Sequence, residues 1–254
     1  MAKLFCVSDI HGFYDELMTA LDEAGFDKDN PEHVLVSLGD HFDRGWKPVE
    51  VMRFLRSLPR KVLIKGNHEQ LLKECCDRGY AESHDYSNGT MNTVVAFSSA
   101  EDQYFAETAC RTWKRVKPFI DEMVNYFETE NYIFVHSWIP TINKDNLPVY
   151  YTRNRTFEFH PNWREASQEE FDSAMWRNPF DMAERGLNQT GKTIVFGHWH
   201  CSAGWPKAEN RSEFGADAKF DPYYGDGFIS IDGCVAHTKK CNVLILEDEF
   251  NNTK

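Results

Sequence analysis

The N-terminal third of the chain repeats one pattern of hydrophobic and polar positions three times. A short apolar run ends in a polar loop, and apolar residues at helical spacing follow it. The runs are Leu4–Val7, Val34–Leu38 and Val62–Ile64, and the helical positions are Leu17 and Leu21, then Val51, Phe54, Leu55 and Leu58, then Leu71, Leu72 and Cys75. Three strand–helix units in series predict a parallel sheet with right-handed crossovers.

The middle of the chain changes character. Residues 88–128 begin with Asn-Gly and continue into a helical pattern at Gln103–Lys117, which predicts a helical insertion. The segment Thr141–Ser167 is expected to be rich in loops.

Further apolar runs predict strands in the second half. Two of them are Tyr132–Val135 and Thr193–Phe196. Phe228–Ile231 and Val243–Leu246, joined through Asp232-Gly233, are expected to pair antiparallel and close a second sheet.

Composition and charge restrict the class of protein. With 254 residues, 41% of them hydrophobic and 27% charged, the chain has the composition of a globular protein and the length of one domain, residues 1–254. A formal net charge of −12 disfavours nucleic acid or anionic membrane as a partner. Seven cysteines without a CxxC pair disfavour a disulfide framework, and we find neither a secretory signal nor an apolar run that could span a membrane. We therefore expect a cytoplasmic protein.

Potential metal ligands stand directly after five of the predicted strands. They are Asp9, His11, Asp40, Asn67, His136, His198 and His200. Strand ends meet at one edge of an α/β sheet, so these side chains can converge. Carboxylate, amide and imidazole ligands without a thiolate suit manganese, iron or zinc. Seven ligands are too many for one open catalytic site, and one bridging carboxylate would divide them between two ions.

Each of these motifs has a structural explanation when it is taken alone. An Asp-x-His pair is more often a turn with a surface histidine, and a histidine after a strand is more often part of the core. Five such motifs at strand ends in one chain favour the metal site instead.

The same motifs, read with their neighbours, form five blocks. They are Asp9-Ile10-His11-Gly12, Gly39-Asp40-His41-Phe42-Asp43-Arg44-Gly45, Gly66-Asn67-His68-Glu69, Val135-His136 and Gly197-His198-Trp199-His200. Together they resemble the signature of the calcineurin-like metallophosphoesterases. Arg44 and Glu69 resemble the phosphoprotein phosphatase branch, with its small bacterial and phage enzymes, to which the symmetrical diadenosine tetraphosphate hydrolases are related. The resemblance implies an α/β fold in which two sheets form a sandwich flanked by helices (α/β/β/α), with 88–128 as an insertion.

Three further segments resemble the small enzymes of this branch more weakly. They are Asn88-Gly89-Thr90 with Thr93, Met175-Trp176-Arg177, and Ile229-Ser230-Ile231-Asp232-Gly233.

The resemblance also implies a role for each ligand. Asp9, His11 and His200 would hold the first ion, Asn67, His136 and His198 the second, and Asp40 would bridge them. The expected cofactor is a pair of divalent ions, manganese first, with iron or zinc as alternatives. His200 is a departure, because the phosphoprotein phosphatases usually present only the first histidine of the last block.

The remaining implied roles concern the phosphate ester. A metal-bridging hydroxide would attack phosphorus, His68 would protonate the leaving oxygen, and Asp43 would orient the His68 ring. Arg44, Asn67 and Arg177 would contact the phosphate, with Arg153 or Arg155 as rivals to Arg177.

Four tryptophans and one cysteine near the ligand motifs have open explanations. Trp46, Trp138, Trp199 and Trp205 either line the cleft or are ordinary core and rim aromatics. Cys201 is either redox-sensitive or a buried, inert thiol.

These features predict a metal-dependent phosphatase for phosphomonoesters, specifically a serine/threonine or dual-specificity protein phosphatase. The alternative is a symmetrical diadenosine tetraphosphate hydrolase, followed by a phosphodiesterase and by a metal-bearing protein without catalysis. The expected partner is a phosphorylated protein, peptide or small molecule, and the sequence leaves the oligomeric state open.

Overall fold

The computed structural model describes residues 2–99, 102–145 and 156–250. The strands are β1 (Ala2–Val7), β2 (His33–Ser37), β3 (Lys61–Leu63), β4 (Tyr126–Glu128), β5 (Tyr132–Val135), β6 (Thr141–Asn143), β7 (Phe157–Phe159), β8 (Thr193–Phe196), β9 (Tyr223–Gly225), β10 (Phe228–Ser230) and β11 (Leu244–Asp248). The helices are α1 (Tyr14–Glu23), α2 (Pro48–Ser57), α3 (Asn67–Arg78), α4 (Ser83–Ser87), α5 (Thr90–Ala96), α6 (Phe105–Ile120), α7 (Gln168–Ala174), α8 (Pro179–Glu184), α9 (Trp205–Glu209) and α10 (Val235–Thr238). Short 3-10 turns lie at Trp163–Glu165 and Cys201–Ala203.

Two mixed sheets carry the fold. The first has the order β11-β1-β2-β3, in which β1, β2 and β3 are parallel, as the three strand–helix units predict. The second has the order β4-β5-β8-β10-β9, with β5, β8 and β10 parallel. A two-stranded antiparallel sheet of β6 and β7 lies in the segment expected to be loops.

Successive side chains of the central strands point to opposite faces of each sheet, and the buried ones form three apolar layers. Leu4 and Cys6 of β1 lie in a buried cluster with Phe134 and Val195 of the second sheet, so this cluster fills the space between the sheets. Phe5 and the other alternate residues of the first sheet pack instead with α1, α2, α3, α5 and α6. The outer face of the second sheet packs against α7 and α8. The predicted sandwich of sheets flanked by helices is therefore confirmed.

The prediction for the last two strands is wrong in their pairing. β10 lies beside β8 and β9 in the second sheet, whereas β11 is antiparallel to β1 in the first sheet, with Leu246 opposite Leu4. The connection between them contains α10 and is long enough to cross from one sheet to the other. A local apolar run predicts that a segment is a strand, but it does not identify the neighbouring strand.

The segment 88–128 is part of the main core. Val94 of α5 and Val116 of α6 are buried in the same cluster as Phe5 of β1. The last residues of the segment form β4, an edge strand of the second sheet, and not a helix. Arg153 and Arg155 lie outside the described residues. Within the described part of the chain, we find no helix with the length and apolar character needed to cross a membrane.

Candidate metal centre

Loops from both sheets converge at the carboxyl ends of the parallel strands. Asp9 follows β1, Asp40 follows β2, and Asn67 begins α3 just after β3. His136 follows β5 and His198 follows β8 in the second sheet. The edge of the sandwich thus collects ligand-type side chains from positions far apart in sequence, as expected for a binding site of an α/β sheet.

Two clusters of potential ligands share Asp40. One consists of His11, Asp40 and His68, and the other of Asp40, His136 and His198; in each, one ligand atom per residue lies within 4.8 Å of the others. Oδ2 of Asp40 is 3.7 Å from Nε2 of His11, and Oδ1 is 3.5 Å from Nε2 of His136. The two carboxylate oxygens therefore face different imidazoles, which suits a bridging ligand.

Hydrogen bonds to the backbone fix which nitrogen of each ring is available. Nδ1 of His11 donates to the Phe42 carbonyl at 2.9 Å, and Nδ1 of His136 donates to the Leu38 carbonyl at 2.7 Å. Each Nε2 then carries a lone pair that points inward. Nε2 of His136 lies 2.8 Å from Oδ1 of Asn67, which is also an acceptor. Two acceptors facing each other without a proton between them fit a shared cation, so this donor set suits divalent metal.

Burial disfavours a charge on two of the histidine rings, His11 and His198, and on the carboxyl group of Asp9. Burial lowers the pKa of His11 and of His198 well below the usual value, so both rings offer lone pairs at neutral pH. Burial and the charge of Asp40 raise the pKa of Asp9 to about 6. Oδ2 of Asp9 also accepts hydrogen bonds from Ser8 Oγ and from the His198 N–H, which ties the two loops together.

The ligand loops have an unusual backbone. Asp9, His11, Asp40 and His198 all have positive φ, between 48° and 62°. Such conformations cost energy for residues other than glycine and concentrate at functional sites. Periodicity in the sequence cannot detect them.

His68 lies beside this centre with its ring held from behind. Nδ1 donates to Oδ2 of Asp43 at 2.8 Å, and Asp43 is fully buried. The Thr90 and Thr93 hydroxyls donate to the two carboxylate oxygens of Asp43 at 2.8 and 2.9 Å. Burial opposes a charge on His68, but Asp40 and Asp43 together raise its pKa. The other ring nitrogen, Nε2, lies 3.9 Å from Oδ2 of Asp40 and so faces the centre. Thr90 and Thr93 belong to one of the segments that resemble the small enzymes of the family only weakly, and no role is predicted for them from the sequence.

Arg44 is exposed beside His68, and its backbone is clamped. Nη2 is 3.5 Å from Nε2 of His68. The Arg44 N–H donates to the Gly89 carbonyl at 3.3 Å, and the Arg44 carbonyl accepts from Nδ2 of Asn92 at 2.7 Å. Gly89 has φ +78°, and a Cβ there would lie 2.3 Å from the Arg44 nitrogen. Only glycine fits this position without moving Arg44.

Gly89→Ala is therefore expected to destabilise the protein by about 1–3 kcal/mol and to weaken phosphate binding through Arg44. Gly186→Ala is the matched control, because Gly186 also has a positive φ, +69°, with open space around its Cβ position. Urea denaturation and the inhibition constant of inorganic phosphate measure the two effects. Equal phosphate binding by both variants would contradict the proposed clamp on Arg44.

Glu69 forms hydrogen bonds with two ligand loops, the one that contains Asp40 and the one that leads into Asn67. It is fully buried, and its Oε2 accepts from the N–H groups of Asp40 and Gly66 at 3.1 and 2.7 Å. Its Oε1 accepts from the N–H and Nδ1 of His41 at 2.9 and 3.2 Å, and Nε2 of His41 lies 2.9 Å from Ser37 Oγ. Burial alone would raise the pKa of Glu69, but His41 and the backbone donors lower it to about 2. In the sequence, Glu69 stands in one of the five family blocks, but no role is predicted for it there.

Two residues predicted to be in the site have other surroundings. His200 is in neither cluster of described residues, and its Nδ1 and Nε2 lie 2.8 Å from Ser202 Oγ and 3.4 Å from Glu213 Oε1. Asp9 is likewise in neither cluster of described residues, and the expectation that Asp9 and His200 help to hold the first ion stays a prediction. Arg177 is buried, with its guanidinium carbon 4.5 Å from the centre of the Phe157 ring.

The tryptophans near the motifs differ in exposure, and Cys201 is buried. Trp138 packs edge-on against Phe196 in the core, whereas Trp46 is 72% exposed. Burial raises the pKa of the Cys201 thiol, which favours the inert alternative.

Comparisons with known proteins identify the family of this chain. A model of the family described as calcineurin-like phosphoesterase matches residues 2–202. Serine/threonine-protein phosphatase 2 of Salmonella typhimurium is 28% identical over 144 residues, 56% of this chain and 61% of that protein. A symmetrical bis(5'-nucleosyl)-tetraphosphatase of Buchnera aphidicola is 41% identical over 66 residues, 26% of this chain and 23% of that protein.

The fold also matches solved structures. The cold-active protein-tyrosine phosphatase of a psychrophilic Shewanella species superposes with a TM-score of 0.52 at 16% identity, covering 97% of this chain and 76% of that one. The chain thus spans less than two thirds of the length of the two curated relatives. The structural match covers nearly all of this chain. With the family model covering most of the chain and the ligand loops in place, the chain belongs to the calcineurin-like phosphoesterases.

Proposed function

We propose that this protein is a phosphatase that hydrolyses phosphomonoesters with two divalent ions. Asp9, His11 and His200 would hold the first ion together with Asp40, and of these His11 and Asp40 lie 3.7 Å apart in the structure. Asp40, Asn67, His136 and His198 would hold the second, with manganese as the first candidate and iron or zinc as alternatives. The observation that carries the proposal is the pair of clusters that share Asp40, one of which includes His68.

The chain's own residues divide the remaining work. When bound, the ions would polarise the phosphate and lower the pKa of water towards neutrality. His68 would donate a proton to the leaving oxygen from Nε2, since Asp43 accepts its Nδ1 proton and keeps the ring oriented. Arg44 would bind phosphate oxygens with its guanidinium. Arg177 would have to leave its contact with Phe157 to bind the phosphate as well, so we give Arg44 the main role in phosphate binding.

We propose phosphoserine and phosphothreonine in proteins as the substrate, with phosphotyrosine as a further possibility of a dual-specificity enzyme. Arg44 within Asp43-Arg44-Gly45 and the similarity to serine/threonine-protein phosphatase 2 support this choice. The second candidate is symmetrical hydrolysis of diadenosine tetraphosphate, supported by similarity to symmetrical tetraphosphatases over stretches of 66 and 70 residues. A phosphodiester substrate is a third candidate, which the charge of −12 disfavours for nucleic acids.

The test compares catalytic efficiency on a phosphothreonine peptide and on diadenosine tetraphosphate, using manganese-loaded protein with His68→Asn as the blank. Preference for the peptide supports the protein phosphatase. Preference for the dinucleotide supports the second candidate and overturns the first. Higher efficiency on bis(para-nitrophenyl) phosphate than on para-nitrophenyl phosphate would favour the phosphodiesterase instead.

Asp40→Asn should weaken metal binding at least about tenfold at both positions, because one neutral amide oxygen cannot bridge two cations. Equilibrium dialysis against manganese, followed by elemental analysis, measures the ions retained. Asp15→Asn is the control, since Asp15 is exposed and pairs with Lys47 at the surface. Full retention of both ions by Asp40→Asn would argue against a bridging role.

A further inference from the structure

Ser8 is a buried serine whose hydroxyl contacts the side chain of a predicted metal ligand. It stands between β1 and Asp9, and its Oγ donates a hydrogen bond to Oδ2 of Asp9. The His198 N–H donates to the same oxygen at 2.9 Å. Among the residues that the structure describes, both hydrogen bonds to this carboxylate end on Oδ2, and none reaches Oδ1. Oδ1 of Asp9 therefore keeps its lone pairs for a cation.

The backbone of the loop after β8 packs directly against this carboxylate. A Cβ built on Gly197 would overlap Ser8 Oγ and Asp9 Oδ2, so only glycine allows this close approach. The Gly197 N–H also donates to the His136 carbonyl at 2.8 Å, and the Asp9 N–H donates to the Gly39 carbonyl at 3.2 Å. Ser8 and Asp9 are thus packed between loops that carry predicted ligands of both ions.

We propose that Ser8 is a positioning residue for the first metal ion. Its hydroxyl, together with the His198 N–H, occupies Oδ2 of Asp9 and leaves Oδ1 as the one oxygen that binds the ion. This inference rests on the proposed function, in which Asp9 helps to hold that ion. A carboxylate that binds through one oxygen takes one coordination position instead of two, and so leaves a position for water or phosphate.

Ser137 provides a matched control, because it is placed like Ser8 but has a different partner. It is 1% exposed and Ser8 is 4% exposed, and it directly follows the ligand His136 as Ser8 directly precedes Asp9. Its hydroxyl donates to the Arg177 carbonyl at 2.6 Å and not to the side chain of a ligand. Ser137→Ala therefore removes a buried hydroxyl beside a ligand but no hydrogen bond to that ligand.

The test is a manganese titration of wild type, Ser8→Ala and Ser137→Ala, followed by electron paramagnetic resonance. We expect Ser8→Ala to bind one of the two ions about tenfold more weakly and the other within about twofold of wild type. At intermediate manganese concentrations, its spectrum should show a single ion where wild type shows a coupled pair. Ser137→Ala should match wild type. Unchanged affinities in Ser8→Ala, or equal weakening of both ions, would overturn the proposal.

Unfolding with and without manganese separates positioning from damage to the fold. Without metal, Ser8→Ala and Ser137→Ala should lose similar stability, since each loses one buried hydroxyl. Well above the wild-type Kd, the stabilisation by manganese should be about 1.4 kcal/mol smaller for Ser8→Ala, which corresponds to tenfold in affinity. Ser8→Thr keeps the hydroxyl and should retain both affinities. Equal stabilisation of Ser8→Ala and Ser137→Ala by manganese would refute the positioning role.

Failure of this inference and failure of the proposed function give different results. Wild type that binds a coupled pair of manganese ions but hydrolyses no phosphate ester would contradict the proposed function, and the titration would still decide the role of Ser8. Wild type that binds fewer than two ions would contradict both, because the first ion would then lack the site that Ser8 is proposed to position.

Discussion

Replacing His68 with asparagine is expected to lower kcat by about 10²–10⁴-fold while both metal ions stay bound. Asparagine keeps a polar side chain at the position but has no acidic proton for the leaving oxygen. In the structure, the His68 ring is buried, its Nδ1 donates to Asp43 at 2.8 Å, and its Nε2 lies 3.9 Å from Oδ2 of Asp40. The ring thus faces the carboxylate that would bridge the two ions.

The size of this loss should depend on the leaving group. An alkyl phosphate such as phosphothreonine leaves as a strongly basic oxygen and needs the proton, whereas para-nitrophenolate leaves easily without one. The loss for His68→Asn should therefore be greater on the phosphothreonine peptide than on para-nitrophenyl phosphate. Single-turnover rates on both substrates measure it, and an equal loss on both counts against proton donation by His68.

A second variant separates the proton donor from the group that orients it. Thr93→Val removes one hydroxyl that donates to Asp43 at 2.9 Å and leaves His68 unchanged. We expect a smaller decrease in kcat than for His68→Asn, with the same dependence on the leaving group. Elemental analysis must find the same metal content in both variants, or the comparison reports ligand loss instead.

Replacing Glu69 with alanine is expected to destabilise the protein by about 3–5 kcal/mol. The carboxylate is fully buried and accepts four hydrogen bonds, three from backbone N–H groups and one from the His41 ring. Its removal leaves His41 and these donors without an acceptor inside the protein. For a chain of this length, about 4 kcal/mol corresponds to a decrease in Tm of roughly 10 °C.

The same substitution should also weaken metal binding, because Glu69 fixes the backbone of Asp40 and of Gly66, which precedes Asn67. Denaturation in guanidinium chloride with and without manganese separates the two effects. Glu74→Ala is the control on the same helix, since Glu74 is exposed and accepts from Gln70; it should change stability by less than about 0.5 kcal/mol. A stability change in Glu69→Ala no larger than in Glu74→Ala would refute the role of Glu69.

Much of the fold follows from the sequence because its determinants are local. The apolar runs of β1, β2, β5 and β8 are bounded by polar loops, and the family blocks stand directly after them. The pairing of β11 with β1 is not local: it depends on which sheet edge remains free after the other strands have paired. The position of the short edge strand β4 also depends on distant parts of the chain, since it pairs with β5, and Val124 just before it forms a bridge to Ile64 just after β3.

For the candidate site too, some features follow from the sequence and others depend on the tertiary structure. The sequence alone determined the kinds of ligand and their places at strand ends, because ligand chemistry depends on residue type and strand ends meet at one edge. Only the tertiary structure decided that Asp40 faces imidazoles on both sides and that Glu69 binds the backbone of two loops. It also decided that His200 faces Glu213, because two histidines one residue apart share a motif but not a side-chain direction. Direction is set by φ and by neighbours distant in sequence, such as the +62° at His198 and the 210–222 loop beside His200, and no residue pattern encodes these locally.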